Sequence, residues 1–209
     1  MTERSVRCVR QAGVMQDNAG QQTRERILAC AEDLFGRKGY DAVSVADIAH
    51  ACDVSTALIY YHFTDKESVL KALIDHASEV FDVHVREAVE GTGSARERLE
   101  RFIVGWLESA ESHVSLLRIL VRPLTDPEGP LAVELLARIG RTIAALASVI
   151  AEGVESGEFA PMEPSRAAEG LLGLVNTRAA ADVLNVPANA DHHASAELVT
   201  RLFFSGITR

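Results

Sequence analysis

The 209-residue sequence predicts an all-α fold of about nine helices, with a small helix-turn-helix unit near the amino end and a larger helical unit after it. Three observations carry that expectation. Apolar residues make up 47% of the chain, rich in Ala and Leu, a globular and helix-favouring composition. Those apolar residues recur at spacings of three and four, the signature of one buried helical face. Two short periodic stretches are also separated by a tight turn, which is how a helix-turn-helix is written in sequence. The charge is asymmetric. The net value is −9, but residues 1–66 hold 8 Lys/Arg against 9 Asp/Glu, while residues 67–209 hold 13 against 21. The acidity therefore belongs to the larger unit, and a surface facing an anionic polymer at the other end stays possible.

Residues 1–22 are rich in Gln, Gly, Asn and Arg without apolar periodicity, which predicts a flexible tail. They carry no apolar h-region, so no secretory signal is expected. No apolar run reaches the roughly 18 residues of a membrane span. Cys8, Cys30 and Cys52 show no CxxC pairing and an odd count, which favours free thiols in a reducing cytoplasm.

From Thr23 the pattern sharpens. Ile27, Leu28, Ala31, Leu34 and Phe35 lie on one helical face, and Gly39 ends that helix as a left-handed cap does. Ser44, with Asp47 three residues later, resembles a capping box opening a second helix whose buried side is Val45, Ile48 and Ala49. "CDV" makes the turn, with Asp53 in a conformation more usual for Gly. Ser55 caps a third helix running to about Phe63, and Thr64 or Asp65 restarts the chain. On the third helix Ile59 and Phe63 face inward. Thr56, Ala57, Tyr60, Tyr61 and His62 are then left for the flanks and outer face. Small residues first and hydroxyls or imidazole later suit a helix entering a major groove with donors to phosphate. Half-buried amphipathic residues would give the same pattern.

The run "TRERILACAEDLFGRKGYDAVSVADIAHACDVSTALIYYHFTDKESVLKAL" resembles the DNA-binding domain of TetR-family transcriptional regulators over about residues 23–73. The resemblance implies DNA contacts at Ser44 and Val45, at Ser55, Thr56, Ala57, Tyr60, Tyr61 and His62 of the recognition helix, and at Lys66. The chain departs from the family pattern in having Thr56-Ala57 where Lys-Gly is frequent, and Asp53 where the turn has Gly. Domain bounds follow: tail 1–22, helix-turn-helix domain 23–66, and ligand-binding and dimerisation domain 67–209.

In the second domain Val69, Leu70, Leu73, Ala77, Val80, Phe81, His84 and Ala88 predict a long fourth helix, and Ser94 and Ser112 cap two more. Leu131, Leu135, Ile139, Ile143, Leu146, Ile150 and Val154 stripe a long seventh helix that "APMEP" stops. Two small-residue or Leu-rich helices close the chain, the last carrying Leu198, Val199, Leu202 and Phe203, a good self-complementary face for a homodimer.

The resemblance further implies a pocket enclosed by helices four to eight for an unidentified small-molecule effector. Effector pockets are mostly apolar with a few directed polar groups, which selects Phe81, His84, Phe102, Trp106, His113, Leu117, Arg118, Val121, Leu135, Ile139 and Asn176. A plain core would use several of the same residues. No nucleophile elbow, phosphate-cradling glycine loop or HExxH occurs, and His192-His193 beside Asp191 is thin support for a metal. No enzyme, cofactor or metal is expected. The expectation is a cytoplasmic repressor that binds a palindromic double-stranded DNA operator as a dimer, is released by a small molecule and has no membrane contact; an activator or a purely ligand-binding helical protein with the same head is the alternative.

Overall fold

A computed structural model of the chain describes residues 3–121, 130–183 and 192–207, with side chains from Gly20 onward save a few positions beside the gaps. Nine helices and no strand occur among the described residues: α1 Glu3–Lys38, α2 Val45–Ala51, α3 Thr56–His62, α4 Lys66–Glu90, α5 Ala95–Ser112, α6 Val114–Val121, α7 Pro130–Glu155, α8 Pro164–Val183 and α9 His192–Ile207. Two compact units divide between Leu73 and Ile74, within α4. No helix among the described residues is long and apolar enough to cross a membrane.

In the first unit the backbone of α1 is helical from Glu3, twenty residues upstream of Thr23, where the apolar stripe begins. The stripe itself lies as the periodicity requires: Ile27, Leu28, Ala31, Leu34 and Phe35 are all buried. Each fully buried Ile, Leu or Phe side chain of this kind contributes about 1.5–3 kcal/mol. Gly39 stops the helix at φ +80°, a conformation that costs glycine nothing sterically, and Tyr40 then packs on Phe35 with ring centroids 5.1 Å apart. Ser44 and Asp47 form the capping box: Ser44 Oγ accepts from the Asp47 amide at 3.1 Å, and the Ser44 amide donates to the Asp47 carboxylate at 2.8 Å. Those two bonds satisfy amides that α2 leaves unpaired at its start. Ile48 and Ala49 are buried, but Val45 is only half-buried, because it sits in the first turn where the helix emerges from its cap.

Asp53 holds φ +53° at the turn, the one non-glycine residue with positive φ among the described residues. Ser55 caps α3 by accepting from the Leu58 amide at 3.2 Å, and Ile59 and Phe63 anchor the helix inside. Asp65 caps α4, its carboxylate accepting from the Ser68 amide at 2.7 Å. Cys30 and Cys52 are free thiols. Burial first, and then a hydrogen bond with the Cys30 thiol, push the Cys52 thiol up to about 12, so at neutral pH it stays protonated and unreactive.

In the second unit α5 lies at the centre. Leu99, Phe102, Ile103 and Leu107 meet Leu146, Val149 and Ile150 of α7, Leu171 and Val175 of α8, and Val199, Phe203 and Phe204 of α9 in one apolar core. The amino end of α5 is held twice: a capping box between Ser94 and Glu97, and the Glu158 carboxylate, which accepts from the Ala95 and Arg96 amides at 3.0 Å each. Buried Arg98 pairs with Glu152 and donates to the Val89 carbonyl, so its charge is not stranded. The seventh helix ends at Glu155 and the chain turns at Gly157, φ +78°, before the proline-containing segment expected to stop it. Gly153 lets Phe159 lie against the helix: a Cβ there would stand 2.3 Å from the ring.

Candidate nucleic-acid interface and effector cavity

The capped turn exposes the face of α3 that Ile59 and Phe63 do not use. Thr56 and Ala57 are exposed, Tyr60 is 57% and Tyr61 81% accessible, and His62 is half-buried with its ring edge-on to Tyr61 at 5.0 Å. Tyr61 is the most accessible large hydrophobic side chain among the described residues, in a residue type that is ordinarily intermediate in burial. Ser44 and Ser55 are exposed, but both hydroxyls accept from helix amides; the Ser44 O–H is also given to the Asp47 carboxylate at 2.5 Å, whereas Ser55 keeps its O–H for another acceptor. The Ser44 hydroxyl, and after it the Ser44 amide, hold the Asp47 carboxyl below the usual carboxylate range.

Lys66 has a local task that its sequence position does not reveal. Its ammonium donates to the carbonyls of Tyr40 at 3.0 Å and Val43 at 2.9 Å and sits 4.1 Å above the Tyr40 ring. Two of its three donors tie the start of α4 to the α1–α2 connection, leaving one for an outside acceptor. Arg24, not singled out from sequence, lies 5.2 Å over the Phe63 ring.

The second unit contains a cavity of about 270 Å³ between α4, α5, α6, α7 and α8. Helix α4 supplies Ser78, Phe81 and Asp82; α5 and α6 supply Trp106 and Leu117; α7 supplies Leu135, Arg138, Ile139 and Thr142; α8 supplies Leu172, Asn176, Ala179 and Ala180. Phe81, Trp106, Leu117, Leu135, Ile139 and Asn176 of the expected set are thus together. Three expected wall residues are placed elsewhere. Phe102 is 1% exposed and packs behind Trp106, 5.2 Å between centroids. His84 bonds Ser109 at 2.7 Å and lies against Gly105. His113 caps α5, its Nδ1 2.9 Å from the Ser109 carbonyl. The side chains of Arg118 and Val121, like those of His192 and His193, fall outside the described residues. No cluster of three or more potential metal ligands occurs among the described residues.

Ser78, Asp82, Arg138, Thr142, Leu172, Ala179 and Ala180 were missed from sequence, and a signal for most of them existed. Ser78, Phe81 and Asp82 are i, i+3, i+4 on α4, and Leu135, Arg138, Ile139 and Thr142 repeat that spacing on α7. Stepping by three or four from the chosen residues finds them.

Two family models match this chain: "Bacterial regulatory proteins, tetR family" over residues 27–73, and "Tetracyclin repressor-like, C-terminal domain" over residues 92–179. The HTH-type transcriptional regulator UidR of Escherichia coli strain K12 is 27% identical over 117 residues, covering 54% of this chain and 60% of the relative. The TetR/AcrR-family regulator of Thermobifida fusca is similar in structure at TM-score 0.71 and 26% identity, over 89% of this chain and 98% of that one. PfmR of Thermus thermophilus superposes at TM-score 0.75 with 24% identity, over 86% and 97%, a likeness of fold. The chain belongs to the TetR family of bacterial regulatory proteins. These relatives are transcriptional regulators rather than enzymes.

Proposed function

We propose that this chain is a cytoplasmic DNA-binding transcriptional repressor that grips a palindromic operator as a homodimer and is released when a small molecule enters the cavity. The observation that carries the reading is the outer face of α3. A seven-residue helix, capped at its start and pinned by Ile59 and Phe63, offers small side chains at its entry and two accessible phenols further along. Thr56 and Ala57 suit contact with thymine methyls, and the Tyr60 and Tyr61 hydroxyls suit phosphate oxygens.

Dimerisation is supported by α8 and α9. Val199 and Phe203 are buried in the unit's own core, whereas Leu198 at 44% and Leu202 at 52% accessibility stand on the other side of α9. Gly170 and Gly173 on α8 face open space, where an added Cβ would meet nothing within 4 Å. Exposed leucines beside bare backbone suit close packing against a second copy. Paired heads then read half-sites about one helical turn apart. Release requires only that the ligand favour the conformation that does not fit the operator, and α4, which begins in one unit and ends in the other, is the continuous element through which that preference passes.

The test is a mobility shift with the DNA flanking the chain's own gene. The expected result is a retarded dimer complex whose affinity falls as salt rises; no salt-sensitive complex with any palindrome in that DNA refutes the proposal.

A further inference from the structure

Most polar groups of the cavity come from α4 and α7, and they are richer in acceptors than in free donors. Ser78 and Asp82 stand one turn apart on α4, Arg138 and Thr142 one turn apart on α7. The Ser78 hydroxyl gives its hydrogen to the Ile74 carbonyl at 2.7 Å, which leaves only its lone pairs. The Arg138 guanidinium is engaged by Asp75 and Glu134. The exposed Asp82 carboxylate has no ion-pair partner among the described residues. Thr142 is the unusual member: it is only 8% exposed, yet its hydroxyl meets no partner among the described residues. A helical threonine can bond a carbonyl three or four residues back, and a buried hydroxyl left unmet costs stability. Asp82, Arg138 and Thr142 also line a groove on the surface, so they stand at the cavity's edge.

The charge at this edge is negative. Asp75, Asp82 and Glu134 stand about the one guanidinium of Arg138, and the surface groove adds Arg86 and Arg141 against Glu90, which lessens the excess without reversing it. A ligand carboxylate would add to that excess and meet the lone pairs of Ser78 and Asp82. A ligand carbonyl would find the Thr142 hydroxyl alone, because Asn176 is exposed and already accepts from the Trp106 indole at 3.2 Å. An ammonium group brings three hydrogens to the oxygens of Asp82, Thr142 and Ser78, and its charge offsets the excess. Its apolar body would lie on Phe81 and Trp106, in tilted contact at 4.7 Å, whose ring faces also favour a cation. Resting on the effector reading above, we propose that the cavity takes a small, mainly apolar amine in its protonated form, its ammonium held by the Asp82 carboxylate and the Thr142 hydroxyl. At about 270 Å³ the space lies at the small end of ligand pockets.

Trp106, the only tryptophan in the chain, lines the cavity, so its emission, together with calorimetry, follows occupancy. The full chain is titrated at neutral pH with four probes of matched body: cyclohexylmethylammonium, cyclohexylmethanol, cyclohexyl methyl ketone and cyclohexanecarboxylate. The ammonium is expected to bind with a Kd at least roughly tenfold below each of the others. Asp82→Asn is expected to remove its advantage over the alcohol while leaving the alcohol's own Kd unchanged. Thr142→Val, of nearly the same shape, is expected to weaken the ammonium while keeping or raising the melting temperature, since it deletes a buried hydroxyl that the fold does not use. A lowered melting temperature in that variant overturns the assignment of the hydroxyl to a ligand, and an ammonium advantage that survives Asp82→Asn overturns the role of Asp82. Tightest binding by the alcohol, the ketone or the carboxylate overturns the ligand class but leaves the effector reading standing. Silence with all four probes by both methods overturns the ligand class and the effector reading together, and the mobility shift then shows separately whether DNA binding survives.

Discussion

Replacing Tyr61 by Phe removes one oxygen and nothing else. The phenol is 81% accessible, its ring contact is the neighbouring His62 at 5.0 Å, and the helix is held from its opposite side by Ile59. The fold should therefore change by no more than about 0.5 kcal/mol, the usual range for a surface substitution away from caps and core. DNA binding should change far more. A hydroxyl donating to a phosphate oxygen makes a hydrogen bond to a charged group, which contributes about 1.5–3 kcal/mol. That is roughly a 10- to 150-fold weaker Kd for each head that loses it. The hydroxyl is neutral and displaces no counterion, so the slope of log K against log salt should stay as in the parent. Mobility shifts at several salt concentrations, with a thermal melt of the same samples, measure all three quantities. An unchanged Kd with an unchanged melt refutes the placement of Tyr61 at the phosphate backbone; a weaker Kd accompanied by a lowered melt refutes the claim that the residue is free of structural duty.

Other expectations follow from particular contacts. Gly153→Ala gains about 1 kcal/mol of helix propensity, but its Cβ would stand 2.3 Å from the Phe159 ring and 3.0 Å from Ala95, with that ring 1% exposed. Overpacking of this kind costs about 1–3 kcal/mol, so a net loss in urea unfolding is expected, and a stabilised variant would show that the ring has room to move. Leu198→Glu together with Leu202→Glu should convert a dimer to a folded monomer in sedimentation, because both side chains are accessible in the isolated chain; an intact dimer removes α9 from the interface. The Asp47 carboxyl is held below its usual value in the folded state, so its stabilising contribution is present above the unfolded carboxylate range and is lost as pH falls through the folded value. Asp47→Asn should therefore flatten the acid side of the stability profile, as followed by urea melts from neutral pH downward, and an unaltered profile contradicts the capping role.

The head was legible because its determinants are local. Gly39, Ser44 with Asp47, Asp53 and Ser55 each act within three or four residues of themselves, and all adopt the geometry their spacing implies. Lys66 was harder to read, since its acceptors are backbone carbonyls 26 and 23 residues away and leave no trace in side-chain type. The upstream course of α1 was invisible for a different reason: periodicity reports a buried stripe, not helicity, and residues 3–22 have no such stripe. The cavity was half legible. Choosing aromatics and histidines by type found Phe81 and Trp106, but it also drew in Phe102, a core residue, and His84 and His113, which bond to Ser109. Arg138 and Thr142 were legible only by position, as neighbours of Ile139 on one face of α7.

The central claim is that the accessible face of α3 lies in the major groove of duplex DNA, once for each of two copies. Dimethyl sulfate footprinting of the bound operator tests it directly, because the reagent methylates guanine N7 in the major groove and adenine N3 in the minor groove. The account predicts N7 protection in two symmetric clusters about one helical turn apart, weakened in both by Tyr61→Phe. Protection confined to adenine N3, or a single cluster without a symmetric mate, would contradict it.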